Sequence, residues 1–110
     1  MRLNKKKALE ELGIPDDLYE ELLKTFTVQL EEVIQQLEAA TGSEDFDKIT
    51  ERAHFLKGSA GNLRVEEVYL QAVKIETAGK QKQDWPVIRN EIAGLKKSLE
   101  ELKELMKGRS

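Results

Sequence analysis

Three stretches of this chain repeat an apolar residue at every third or fourth position, a further one gathers apolar residues over about two turns, and that pattern leaves little choice of fold. Tyr19, Leu23, Phe26, Leu30, Val33 and Leu37 form the first stripe, and Phe46, Ile49, Ala53, Leu56, Ala60 and Leu63 the second. Val68, Tyr69, Ala72, Val73 and Ile75 form the third, and Ile88, Ile92, Leu95, Leu99, Leu102 and Met106 the fourth. A helix with about 3.6 residues per turn gathers such residues on one side. A stripe of this kind is stable in water only when another covers it. Four stripes joined by short connections predict an all-α, antiparallel, up-down-up-down four-helix bundle. Composition agrees, with 35% charged and 5% aromatic residues and a preponderance of Glu, Lys, Leu and Ala.

The breaks between the stripes are "GIPDD" at 13–17, "ATGSED" at 40–45, "NLRVEE" at 62–67 and "AGKQKQDWP" at 78–86. Pro15 suits the first position of a helix, and Asp16 and Asp17 place negative charge near its free N–H groups. Ser43 is the expected N-cap of the second long helix. The third opens at Val65, with Glu66 and Glu67 in its first turn, and stops at Gly79, read as a left-handed terminator followed by Lys80. Asp84 is the expected N-cap of the fourth, with Pro86 in its first turn. Leu3, Leu9 and Leu12 predict a short additional N-terminal helix, about 3–12, capping one end of a bundle spanning about 15–107. The 110 residues make one domain, 1–110.

Several function classes fall away on composition. The chain has no cysteine, which removes disulfides, thiolate metal sites and a cysteine nucleophile. A reducing, cytoplasmic setting fits. No run of about 18 apolar residues exists to span a membrane. Eighteen Lys and Arg against 21 Asp and Glu give a net charge of −3, with no general attraction for nucleic acid. Lys5, Lys6 and Lys7 read as a solvated helix end.

Within "ERAHFLKGSAGNLR", residues 51–64, lies the only histidine. Taking about 100° per residue, His54 points about 130° away from the centre of the second stripe, so it is not a core residue. Asp47, Thr50, Lys57, Gly58 and Gly61 share its side of the helix, within about 60°. Glycine inside a helix costs up to about 1 kcal/mol relative to alanine, so Gly58 and Gly61 imply a need for empty space. That space lets another protein approach the ring. An imidazole titrates near about 6.5, so at cellular pH one ring nitrogen keeps a lone pair able to attack phosphorus. Lys57, one turn along, supplies positive charge for phosphoryl oxygens. The chain has no Walker-type glycine-rich loop and no His and carboxylate cluster at metal-ligand spacing. It is read as a carrier of phosphoryl groups, not an enzyme with kinase activity of its own.

The run Ala53-His54-Phe55-Leu56-Lys57-Gly58-Ser59-Ala60 resembles the signature of histidine-containing phosphotransfer domains, the four-helix modules of multistep His–Asp phosphorelays. The resemblance covers most of the chain, including the motif's place on the second long helix and the "ETAGK" ending of the third segment. It implies two-component signalling, in which His54 accepts a phosphoryl group from a receiver-domain aspartate and passes it to another receiver. Partners would be receiver domains of response regulators and hybrid histidine kinases. No cofactor of its own is implied, and magnesium is expected on the partner receiver. Lys57 would stabilise the phosphoryl oxygens and Gly58 keep the approach to His54 open. Ser59, about 140° from His54, would hold neighbouring structure in place rather than touch phosphate.

Many relatives have glycine where this chain has Arg64. A left-handed conformation there is strained for arginine, whereas Asn62 tolerates it and would end the helix earlier. Arg64 is either an added cation at the rim of the docking face or a solvated residue. Glu76, or a polar neighbour such as Gln71, would orient the imidazole by accepting its N–H. A carboxylate there also tends to repel a phosphoryl group. Docking is expected to be transient, of a monomer, through a modest apolar patch around His54. Two other readings compete: a non-catalytic helical adaptor or inhibitor that binds receiver or kinase domains, and a plain structural or oligomerisation bundle. The breaks at 40–45 and 78–86 are too frequent for a long coiled coil.

Overall fold

A computed structural model describes residue 1 and residues 3–108. Residues 2, 109 and 110 of the expected 1–110 domain lie outside the described residues. Five helices, and no strand, occur among the described residues: α1 (Lys5–Leu12), α2 (Asp16–Gly42), α3 (Phe46–Leu63), α4 (Glu66–Lys80) and α5 (Trp85–Lys107). Their order and cyclic contacts, α2 with α3, α3 with α4, α4 with α5 and α5 with α2, make a closed four-helix bundle with α1 as the additional N-terminal helix.

Cross-helix pairs give the direction of each contact. The Tyr19 hydroxyl donates to the Leu63 carbonyl at 2.8 Å, while Arg52 donates to Gln36 at 3.2 Å, so α2 and α3 run antiparallel. Lys96 with Glu38 and Lys103 with Glu31 give the same sense to α5 and α2. Gln71 with Gly94 and Ser98 with Glu67 give it to α4 and α5. The stripes meet inside, where Leu23, Leu30, Leu37, Ile49, Leu56, Ile75, Ile88, Leu95 and Leu102 are fully buried. Burial of such side chains is the main force holding the bundle, each contributing about 1.5–3 kcal/mol.

Two helix ends and one residue of the third stripe depart from expectation. Ser43 does not start α3, because α2 continues to Gly42 and Ser43 caps its C-terminus; the N-cap of α3 is Asp45, whose carboxylate accepts from Lys48 N at 3.0 Å. Gly79 is not a terminator either. It is helical and buried, and α4 ends at Lys80, with the left-handed conformation falling later at Lys82. Tyr69, placed in the third stripe by spacing, is instead 37% exposed. The leading helix has Asn4 as N-cap and ends at left-handed Gly13, and Leu3, Leu9, Leu12 and Ile14 pack against the core. Lys5 binds both Asp16 and Glu20, tying α1 to the start of α2. Among the described residues no helix is long and apolar enough to cross a membrane.

Candidate functional site

Two faces separate on α3 as helical geometry requires. Ala53, Leu56 and Ala60 are fully buried, whereas the His54 side chain is 67% exposed. Lys57 stands beside it, half-buried, and Gly58 leaves open space, with nothing within 4 Å of where a Cβ would lie.

The neighbouring helix supplies the residue that organises this face. Glu76 projects from α4 with its side chain only 7% exposed, and its carboxylate is divided between partners. One oxygen, Oε2, lies 2.6 Å from His54 Nδ1, and the other, Oε1, accepts from Lys57 Nζ at 2.7 Å. Lys80 Nζ stands 3.7 Å from Oε2. The Lys57 bond holds the Glu76 carboxyl below its ordinary value of 4.5; the His54 bond and the charges of Lys57 and Lys80 act the same way, against burial. Glu76 is therefore ionised at neutral pH. An ionised carboxylate only accepts, so Nδ1 is the donor in this pair and Nε2 is the ring nitrogen left outside it. The second carboxylate oxygen fixes Lys57 on the same side.

The α3–α4 approach that permits this is close. A Cβ on Gly79 would come within 2.5 Å of Thr50 Oγ1 and 3.1 Å of the Thr50 backbone N. Thr50 donates its hydroxyl to the Phe46 carbonyl at 2.9 Å, so it lies flat against α3 and forms the wall that Gly79 meets. Thr50 thus supports the spacing of the site from below.

The other expected residues fall in different places. Gly61 is half-buried: its missing Cβ would lie 3.4 Å from Tyr69 Cδ2, so this glycine makes room for the Tyr69 ring rather than an open approach. Ser59 turns toward α2, in a groove it shares with Leu22, Thr25, Phe26 and Gln29. Gln71 is not beside His54. Its amide donates to the Gly94 carbonyl at 3.3 Å and its oxygen accepts from Ser98 at 2.9 Å, which ties it to α5 on the opposite side of α4. Arg64, not Asn62, takes the left-handed turn, with φ 62°. Its guanidinium donates to Glu11 at 3.0 Å and to the Gly61 carbonyl at 2.9 Å, so it joins α1 to the α3–α4 corner rather than standing free.

Two features of the site lie outside the sequence expectations. Lys80 figured only as the residue after a supposed terminator, although its i,i+4 spacing from Glu76 was a usable signal. The Gly79–Thr50 contact left none, because a buried helical glycine and a terminating one look alike in sequence. On the outer side, Phe55 is 41% exposed, with the Arg52 guanidinium 4.9 Å from its ring centre. No group of three or more His, Asp or Glu side chains set to hold a metal ion occurs among the described residues.

Comparison with known proteins bears on this arrangement. A search of curated protein sequences returned no significant match. Among solved structures, the chain is similar to the HPT domain of an Hpt sensor hybrid histidine kinase from Shewanella, with 24% identity and a TM-score of 0.78. That match covers 96% of this chain and 91% of the other, and it shows a shared fold. The family model of the Hpt domain matches residues 21–105, which include α3, α4 and all the residues around Glu76. The chain belongs to the Hpt domain family.

Proposed function

We propose that this protein carries phosphoryl groups between receiver domains of a His–Asp phosphorelay, with His54 as the acceptor. The observation that carries the reading is the His54 Nδ1–Glu76 contact of 2.6 Å, which engages Nδ1 and leaves Nε2 as the ring nitrogen outside the pairing, on a side chain that is 67% exposed. Membership of the Hpt domain family supports histidine phosphotransfer in general.

In the forward step, Nε2 attacks the phosphorus of a receiver's aspartyl phosphate in line. The N–P bond forms as the P–O bond to the aspartyl group breaks, and the aspartate departs as a carboxylate. Nδ1 retains its proton, so the phosphorylated ring is a cation. This removes the objection to a carboxylate at Glu76, which faces a positive ring rather than the phosphoryl group. Lys57 neutralises phosphoryl oxygens, and Gly58 leaves the approach open. In the reverse step a carboxylate oxygen of the next receiver attacks phosphorus, the N–P bond breaks and the ring recovers its lone pair. Any magnesium belongs to the receiver. Phe55 offers an apolar contact beside the histidine, suited to a transient partner. The protein acts as a monomer and extracts no phosphoryl group from ATP.

Incubation with a phosphorylated receiver should yield acid-labile, base-stable label on the wild type and none on His54→Gln. Equal labelling of His54→Gln removes the assignment. Tight receiver binding without any labelling favours a non-catalytic adaptor instead.

A further inference from the structure

The unphosphorylated site holds more positive charge than Glu76 needs. Lys57 occupies Oε1 at 2.7 Å, and His54 occupies Oε2 at 2.6 Å. Lys80, at the last turn of α4, stands 3.7 Å from the same Oε2, with its side chain 63% exposed. The carboxylate itself is buried, and a buried charge stripped of its partner is strongly disfavoured. The ring on Oε2 does not replace Lys57 on Oε1, so Lys57 leaves for a phosphoryl group at least cost when another cation closes on the carboxylate.

We propose that Lys80 is that reserve counter-ion: when His54 is phosphorylated, Lys57 turns to the phosphoryl oxygens and Lys80 closes on Glu76. The idea rests on reading His54 as the phosphoryl acceptor. Formal charge supports it. With a neutral ring, Glu76, Lys57 and Lys80 leave the resting site one unit positive. Phosphorylation makes the ring a cation and brings about two negative charges, so the site becomes neutral. Without Lys80 the phosphorylated site would be left with a negative charge beside a buried carboxylate. Position helps too, since a lysine four residues after a glutamate favours pairing, and the C-terminal turn of a helix favours a cation. Lys80 acts through Glu76 and Lys57, and is a positioning residue.

A double-mutant cycle on the full chain tests this, with potassium phosphoramidate as the phosphoryl donor and the phosphohistidine followed by phosphorus NMR. In that reaction Nε2 attacks phosphorus, the donor's N–P bond breaks and ammonia leaves. Lys80→Gln should slow labelling by about two- to fivefold, the range set by coupling in a partly exposed ion pair, and Lys80→Arg should restore it. Lys57→Gln should slow labelling further, and Lys57→Gln with Lys80→Gln should be no slower than Lys57→Gln alone. In a Glu76→Gln background, Lys80→Gln should have no effect, because a neutral amide needs no counter-ion. A structural role alone would lower the melting temperature of Lys80→Gln without this pattern. Labelling of Lys80→Gln at the wild-type rate overturns the proposal, as do Lys57 and Lys80 effects that multiply, which would put Lys80 on the phosphoryl group itself. A wild type that takes no label, or a His54→Gln that labels equally, overturns the functional reading and this proposal together.

Discussion

Gly58 and Gly61 lie one turn apart on α3 and serve different ends. Nothing lies within 4 Å of a Cβ at Gly58, so Gly58→Ala should stabilise the free protein by up to about 1 kcal/mol through helix propensity. On the proposed function the same methyl group would stand in the receiver's path, and receiver-dependent labelling should fall by about tenfold, as small misplacements of reacting groups allow. Denaturant unfolding beside a transfer assay checks both; a variant that is more stable and equally fast would show that the open space has no role. Gly61→Ala should be gentler on transfer, because its Cβ meets the Tyr69 ring at 3.4 Å, an ordinary contact. In sequence the two glycines looked equivalent. Angle on the helix placed both near His54, but only the partner helix decided which one was covered. The choice between Glu76 and Gln71 was open for the same reason.

At the scale of the elements, the α3–α4 pair decides whether there is a site at all. Gly79→Ala would drive a methyl group against Thr50 Oγ1 at 2.5 Å and against its backbone N at 3.1 Å. Backbone cannot move aside as a side-chain end does, so the helices must separate. Overpacking of this kind costs about 1–3 kcal/mol, more than the helix-propensity gain of about 1 kcal/mol, so Gly79→Ala should be destabilised. It should also label slowly, since Glu76 is drawn away from His54; a Gly79→Ala with raised melting temperature would contradict the close packing. Arg64 gives the opposite expectation. It holds a left-handed conformation at φ 62°, and its gains are an ion pair with Glu11 and carbonyl contacts at the surface. Exposed ion pairs contribute about 0–1 kcal/mol, and left-handed strain in a non-glycine residue costs about 1–2 kcal/mol. Arg64→Gly should therefore unfold at slightly higher denaturant, and a clear loss of stability would show that the tie to α1 outweighs the strain. Helix ends were the least legible part of the sequence. Ser43 and Asp45 both suit an N-cap, and only the length of α2 chose between them.

For the whole molecule, Glu76 links stability to pH. Its carboxyl sits below the ordinary 4.5 in the folded state, so the unfolded chain takes up the proton first as acid is added. The stabilisation is complete above pH 4.5 and is lost as pH falls from there through the folded value. Circular dichroism melts should show wild type losing stability over that interval more steeply than Glu76→Gln; parallel curves would mean that the carboxylate is not held by Lys57 and His54. Truncating the core at Leu30, which is fully buried, should cost about 2–5 kcal/mol by cavity formation. The period of the apolar residues determined by itself that the chain is helical, that four long helices hide one face each, and that His54 lies off the buried stripe. Those are properties of one helix at a time, set by spacing along the backbone. Tertiary structure alone decided that Glu76 meets His54 and Lys57, that Gly79 admits α3 to contact distance, and that Gln71 looks the other way. Such pairings depend on the register and separation of two antiparallel helices, which the pattern on either helix leaves free.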